Sequence, residues 1–121
     1  MTVARWLQSR AEVARVFYPA LETDVSHALW KRDFTGATGL FSVELRPTSR
    51  EGVARMLDRM RYFRMGYSWG GYESLIILAE PGCSRTASNW RADGPLLRLH
   101  IGLEHTDDLI EDLSDGFARL A

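Results

Sequence analysis

The sequence predicts an α+β domain: a small, mainly antiparallel sheet with helices packed on one face. Three observations carry this. Phe41, Val43 and Leu45 alternate with Ser42, Glu44 and Arg46, the period of two expected of a strand with one buried face. Val53, Met56, Leu57 and Met60 recur at i, i+3, i+4 and i+7, the buried stripe of an amphipathic helix. Two short apolar runs, 75–79 and 96–101, then read as strands, and a second amphipathic helix closes the chain.

Taken in order, the chain opens in a helix. Thr2 is its expected cap, and Val3, Trp6 and Leu7 share a face. So abrupt a start suits a domain cut from something larger. Val13, Val16 and Phe17 suggest a strand over 14–18, with poor alternation, before Pro19 ends it. Residues 24–34 read as a helix capped by Thr23 or Asp24, with Ala28, Leu29 and Trp30 as its apolar members and His27 as a surface histidine. Gly36 and Gly39 bracket a turn into the strand 41–46, which Pro47 stops. Thr48 and Glu51 have capping-box spacing and open the next helix. Arg50, Arg55, Arg59 and Arg61 read as its solvated face, offset by Glu51 and Asp58.

The run Leu75-Ile76-Ile77-Leu78-Ala79 suits a strand covered on both faces. Residues 81–93 are polar and read as a long loop with Trp90 as its one large anchor. In the strand 96–101, Leu97, Leu99 and Ile101 point one way and Leu96, Arg98 and His100 the other. The last helix runs from a Thr106 cap to Leu120, with Leu109, Ile110, Leu113 and Phe117 as its stripe. Asp107 and Asp108 lie at its positive end.

The bulk numbers bound the function. A chain of 121 residues makes one domain, 1–121, and can bury a real core. It is 45% hydrophobic and 26% charged, with net charge −1, which gives no electrostatic reason to expect nucleic acid or an anionic membrane as partner. No apolar run approaches the roughly 20 residues of a membrane helix. The single cysteine, Cys83, cannot form an internal disulfide, reads as an incidental thiol, and makes the cytoplasm the default compartment. His27, His100 and His105 supply no zinc pattern. Ser68, a histidine and an aspartate make a nucleophilic triad only on paper, because nothing in their spacing selects one.

One stretch has no simple core-packing explanation: Tyr67-Ser68-Trp69-Gly70-Gly71-Tyr72-Glu73-Ser74-Leu75. Gly-Gly marks a turn and lets the backbone come close to a neighbour or ligand, and the flanking aromatics and hydroxyls give that turn something to bind with. A decorated loop covering a core edge is the plain alternative. A dinucleotide fingerprint is not one, since such a turn opens a helix and this one opens a strand.

This stretch and Leu96-Leu97-Arg98-Leu99-His100-Ile101-Gly102-Leu103-Glu104 resemble, together, the C-terminal part of the Cys/Met-metabolism family of pyridoxal-phosphate (PLP) enzymes, cystathionine β-lyases most of all. Trp30-Lys31-Arg32-Asp33-Phe34-Thr35-Gly36-Ala37 and Gly39-Leu40-Phe41-Ser42 are similar to that family too. The resemblance implies the small C-terminal domain of such an enzyme, cleaving cystathionine to homocysteine, pyruvate and ammonia in methionine biosynthesis. It implies that Arg98 holds the substrate's α-carboxylate and that Ser68 and Trp69 lie at the active site. Other branches of the family usually carry leucine at the position of Trp69, which favours β-lyase over γ-lyase or γ-synthase. The family's PLP-binding domain, with its aldimine lysine, is expected to be absent. No catalytic, cofactor-binding or metal residue is therefore expected in this chain, and PLP is expected only in the complete enzyme, with an amino-acid substrate and a homo-oligomeric assembly. The alternative is a self-standing, non-catalytic α+β binding or interaction domain. From the residues alone, Arg98 is a planar fork suited to a carboxylate or, equally, an ion-paired surface arginine. Tyr72 and Glu73 read as structural, closing the turn.

Overall fold

A computed structural model describes residues 1–84 and 86–120; the Cys83 side chain lies outside the described part. The elements follow as α1 (Thr2–Gln8), β1 (Val13–Phe17), α2 (His27–Asp33), β2 (Leu40–Leu45), α3 (Arg50–Leu57), β3 (Leu75–Ala79), β4 (Leu96–His100) and α4 (Thr106–Phe117), with one 3₁₀ turn at Pro81–Cys83. This is the expected order. The four strands form one antiparallel sheet in the order β1-β2-β4-β3.

The alternation seen in the sequence sorts the two faces. Phe41, Val43 and Leu45 of β2, Leu97 and Leu99 of β4, and Ile76 of β3 are buried on one face. Over that face lie the stripes of α1 (Val3, Leu7), α3 (Val53, Met56, Leu57) and α4 (Leu109, Leu113, Phe117), all in one core. The poor alternation of β1 has a cause: the register shifts between Val13 and Arg15. That irregularity lets Val13 and Val16, three apart, both reach the core. Ile76 and Ile77, on opposite sides of β3, are both buried, as a strand covered twice requires.

Local details differ from the sequence expectation. Thr2 does not cap α1; Met1 precedes it with no side-chain cap. Ser49, not Thr48, caps α3, accepting from the Gly52 amide at 3.0 Å, while the Thr48 hydroxyl donates to the Leu120 carbonyl. His105, not Thr106, caps α4, its Nδ1 accepting from the Asp107 amide. A cap must sit on extended backbone just outside the first turn, as Ser49 and His105 do; spacing alone does not say which neighbour does. Helix α2 is shorter than 24–34 and buries no residue. Asp24 is spent on the preceding turn, accepting from the amides of Tyr18 and Ser26. Leu29 is exposed, and Trp30 alone leans on the core edge. His27 Nδ1–H donates to the Pro19 carbonyl at 2.8 Å, as suits a surface histidine.

Candidate functional site

Strand β4 is bonded on both sides, to β2 and to β3, so its backbone is fixed at the middle of the sheet. Alternation puts Arg98 on the face away from the helices. Its cross-strand neighbours there are Ser42 and Ile77. Part of that face is closed by the 86–95 loop: Trp90 packs edge-on against Phe17, and buried Glu44 accepts from the amides of Asp93 and Gly94. The rest is open. Arg98 lies where two depressions of ≈ 350 and ≈ 530 Å³ adjoin, the first lined also by Phe17, Ser42 and Trp90, the second by Arg50, Tyr67 and Ile77. A larger one, ≈ 660 Å³, lies by Thr48, Val53 and Arg91 and takes in none of Ser68, Trp69 and Arg98.

Arg98 is half-buried, and one of its terminal nitrogens donates to the Tyr67 carbonyl at 2.7 Å and reaches the Gly66 carbonyl at 3.5 Å. Among the described residues no carboxylate lies in ion-pair distance of it. A guanidinium carries five donors, so these carbonyls leave most of the fork uncommitted.

The aromatic turn is held by β4 and the residues after it. The Gly70 amide lies 3.2 and 3.3 Å from the two ring nitrogens of His100, and His100 Nε2 is 3.0 Å from the Gly71 carbonyl. A neutral ring satisfies both partners when Nδ1 accepts from Gly70 and Nε2–H donates to Gly71. The Leu103 amide donates to the Tyr72 carbonyl at 2.8 Å. Glu104 takes the Ser74 amide at 2.8 Å and the Ser74 hydroxyl at 2.7 Å, and Ser74 in turn accepts from the Gly102 amide. Burial works to raise the Glu104 pKa, but the two Ser74 hydrogen bonds, the backbone bond at Glu104 itself and the nearby His100 together outweigh it and hold the carboxyl below its ordinary value. Two glycines make this possible. Gly70 has φ +83°, the left-handed region open to glycine. A Cβ on Gly102 would stand 2.1 Å from the Tyr72 carbonyl oxygen.

Ser68 and Trp69 therefore span the gap between a carbonyl held by Arg98 and an amide held by His100. Both are exposed, Trp69 to 58%. The fold thus brings together the stretch 67–75 and the segment 96–104. Tyr72 closes the turn only through its backbone; its ring is 72% exposed. The residues that sequence reasoning passed over are Ser74, His100 and Glu104. For His100 a signal existed, since it shares the face of Arg98. Among the described residues no His, Cys, Asp and Glu group that could hold a metal is present, and no helix is long and apolar enough to cross a membrane.

Comparison with known proteins gives these features relatives. The family model described as Cys/Met metabolism PLP-dependent enzyme matches residues 1–118. The cystathionine beta-lyase MetC of Escherichia coli is 49% identical over 124 residues, covering 99% of this chain and 31% of that enzyme. An L-alanine/L-glutamate racemase of Wolbachia pipientis is 43% identical, covering 99% of this chain and 30% of its own length. Among solved structures, cystathionine gamma synthase of Xanthomonas oryzae, in complex with aminoacrylate and cysteine, superposes with a TM-score of 0.79 at 37% identity, covering 98% of this chain and 32% of that one. The chain spans a little under a third of the length of these relatives.

Proposed function

The chain belongs to the Cys/Met metabolism family of PLP-dependent enzymes, and from that premise we propose that residues 1–121 are the C-terminal, substrate-binding domain of a PLP-dependent carbon–sulfur β-lyase acting on cystathionine. One observation carries the reading: Arg98 stands mid-strand on the open face, oriented by the Tyr67 carbonyl, with no carboxylate of the described chain beside it. An uncommitted guanidinium so placed suits the α-carboxylate of an amino acid, gripped bidentately. Ser68 offers a hydroxyl to the substrate, and Trp69 walls the same side.

The residues of this chain do not by themselves fit a PLP site. Lys31, the only lysine, is exposed on α2, a helix with no buried residue, beside the Arg32–Asp33 ion pair at 2.7 Å. An aldimine lysine needs a pocket that holds its amine and lowers its pKa. The cofactor therefore belongs to the remainder of the complete enzyme. Cytoplasmic residence and a homo-oligomer belong to the same proposal, supported by the single cysteine and by the exposed Tyr67, Trp69 and Tyr72. The racemase relative favours a second reading in which the carboxylate grip is shared and the fate of the substrate differs.

The test uses an enzyme completed by joining this segment to a family cofactor domain. Arg98→Ala removes a charge-assisted contact, and a hydrogen bond to a charged group contributes about 1.5–3 kcal/mol. The expected loss in kcat/KM is about tenfold to a hundredfold with PLP still bound, and Arg98→Lys, which keeps charge but not the fork, recovers part of it. Pyruvate release scores the lyase, and formation of a D-amino acid scores the racemase. Arg98→Ala that turns over cystathionine normally per folded molecule would refute the carboxylate role.

A further inference from the structure

The segment 66–74 has no regular secondary structure, and residues 67–73 are all exposed. Apart from buried Ser74, packing therefore does not fix its shape. Its described fastenings run through its ends and backbone: at one margin the Arg64 bridge to Leu75 and the Arg64 amide on the Ser74 carbonyl, and otherwise Arg98, His100, Gly102, Leu103 and Glu104. We infer that His100 and Glu104 are positioning residues: His100, bridging Gly70 and Gly71, and Glu104, clamping Ser74, set where Ser68 and Trp69 stand relative to Arg98.

The chemistry supports the division of labour. Arg98 secures the turn before Ser68, and His100 secures it after Trp69. His100 is 6% exposed and sits two residues from Arg98 on the same face, so the two anchors keep a strand-fixed spacing. A buried ring that gives one hydrogen bond and takes another holds a two-residue backbone in one orientation, which an apolar side chain of like size cannot. Glu104 fixes the far end, because its two oxygens take both donors of Ser74. The turn-setting part of this inference stands on the geometry alone; its bearing on a ligand rests on the function proposed above.

The test pairs His100→Leu, which keeps bulk and loses both hydrogen bonds, with His100→Gln, which keeps one donor and one acceptor. In the 121-residue chain, backbone amide exchange at Gly70 and Leu103 should quicken about tenfold in His100→Leu and recover in His100→Gln, with the β2 amides unchanged. In the completed enzyme, His100→Leu should lower kcat/KM about tenfold and His100→Gln should restore most of it. Unchanged Gly70 exchange in His100→Leu would overturn the inference, as would faster exchange with unaltered kcat/KM. Global loss of protection in both variants would overturn it too, making His100 a fold residue. If exchange and the Gln rescue behave as expected while Arg98→Ala stays fully active, the carboxylate assignment fails and the positioning role stands. Glu104→Gln supplies an independent check: it should loosen Ser74 and Leu103 exchange without touching β1.

Discussion

Gly102→Ala should be among the most damaging single-methyl changes in this chain. Its Cβ would lie 2.1 Å from the Tyr72 carbonyl oxygen and 2.7 Å from both the Glu73 carbonyl carbon and Glu104 Oε2. Two of these neighbours are backbone, so one main chain must retreat from the other by about 1.3 Å to restore ordinary contact. That retreat pulls directly on the Leu103–Tyr72 hydrogen bond at 2.8 Å and the Gly102–Ser74 bond at 2.9 Å. Two neutral hydrogen bonds at about 1 kcal/mol each set a floor near 2 kcal/mol. If the Glu104–Ser74 pair also parts, two bonds to a charged group add about 3 kcal/mol or more.

At roughly 4 °C per kcal/mol for a domain of this size, the floor is a fall in Tm of about 8 °C. Differential scanning calorimetry on the purified chain measures it. Gly70→Ala is the internal comparison: nothing lies within 4 Å of a Cβ there, so its cost is the left-handed backbone alone, about 1–2 kcal/mol. Gly102→Ala should melt below Gly70→Ala. A Gly102→Ala chain melting within about 2 °C of the parent would refute the close approach of the two segments, and with it the basis of the site.

Two further outcomes follow from named contacts. Asp112 is 1% exposed and accepts from the amides of Arg61, Tyr62 and Phe63, so Asp112→Ala strands three donors and should cost at least about 3 kcal/mol, read as a lowered urea midpoint with an unchanged slope. An unchanged midpoint would mean those amides find other partners. Glu104 has its folded pKa depressed, so its contribution is present above the ordinary carboxylate pKa and is lost as pH falls through the folded value. The stability gap between the parent and Glu104→Gln should therefore be full near pH 7 and narrow below about pH 4. A gap that stays constant as pH falls well below the ordinary carboxylate range would contradict the assigned hydrogen bonds.

How much of this was legible in the sequence depends on the range of the interaction. The order of elements was legible, because the apolar stripes of α3 and α4 and the alternation of β2 are periodic within one segment. The face of Arg98 was legible for the same reason. The cap of α3 was off by one residue, because Ser49 and Thr48 offer the same hydroxyl chemistry and only backbone angles separate them. Helix α2 was overdrawn, because its apolar residues satisfy a pattern while Leu29 faces solvent. The clasp was illegible. Ser74 meets Glu104 across 30 positions and Gly70 meets His100 across 30, and no spacing rule in one sequence joins them.

The same difference of range explains how one site can be both firm and adjustable. Arg98 takes its position from a central strand whose hydrogen bonds run to both neighbours, so few substitutions outside the core can move it. Ser68 and Trp69 take theirs from a handful of polar contacts to exposed backbone. A change of one side chain in the turn leaves the core packing untouched, while a change at His100, Gly102 or Glu104 re-aims the whole turn. On the function proposed here, binding of the carboxylate is then the demand on the sheet, and discrimination among amino acids is the demand on the turn. Exchanging the exposed side chains of Ser68, Trp69, Tyr72 and Glu73 should therefore alter the products of the completed enzyme at little cost in melting temperature, whereas changes in β4 should cost both.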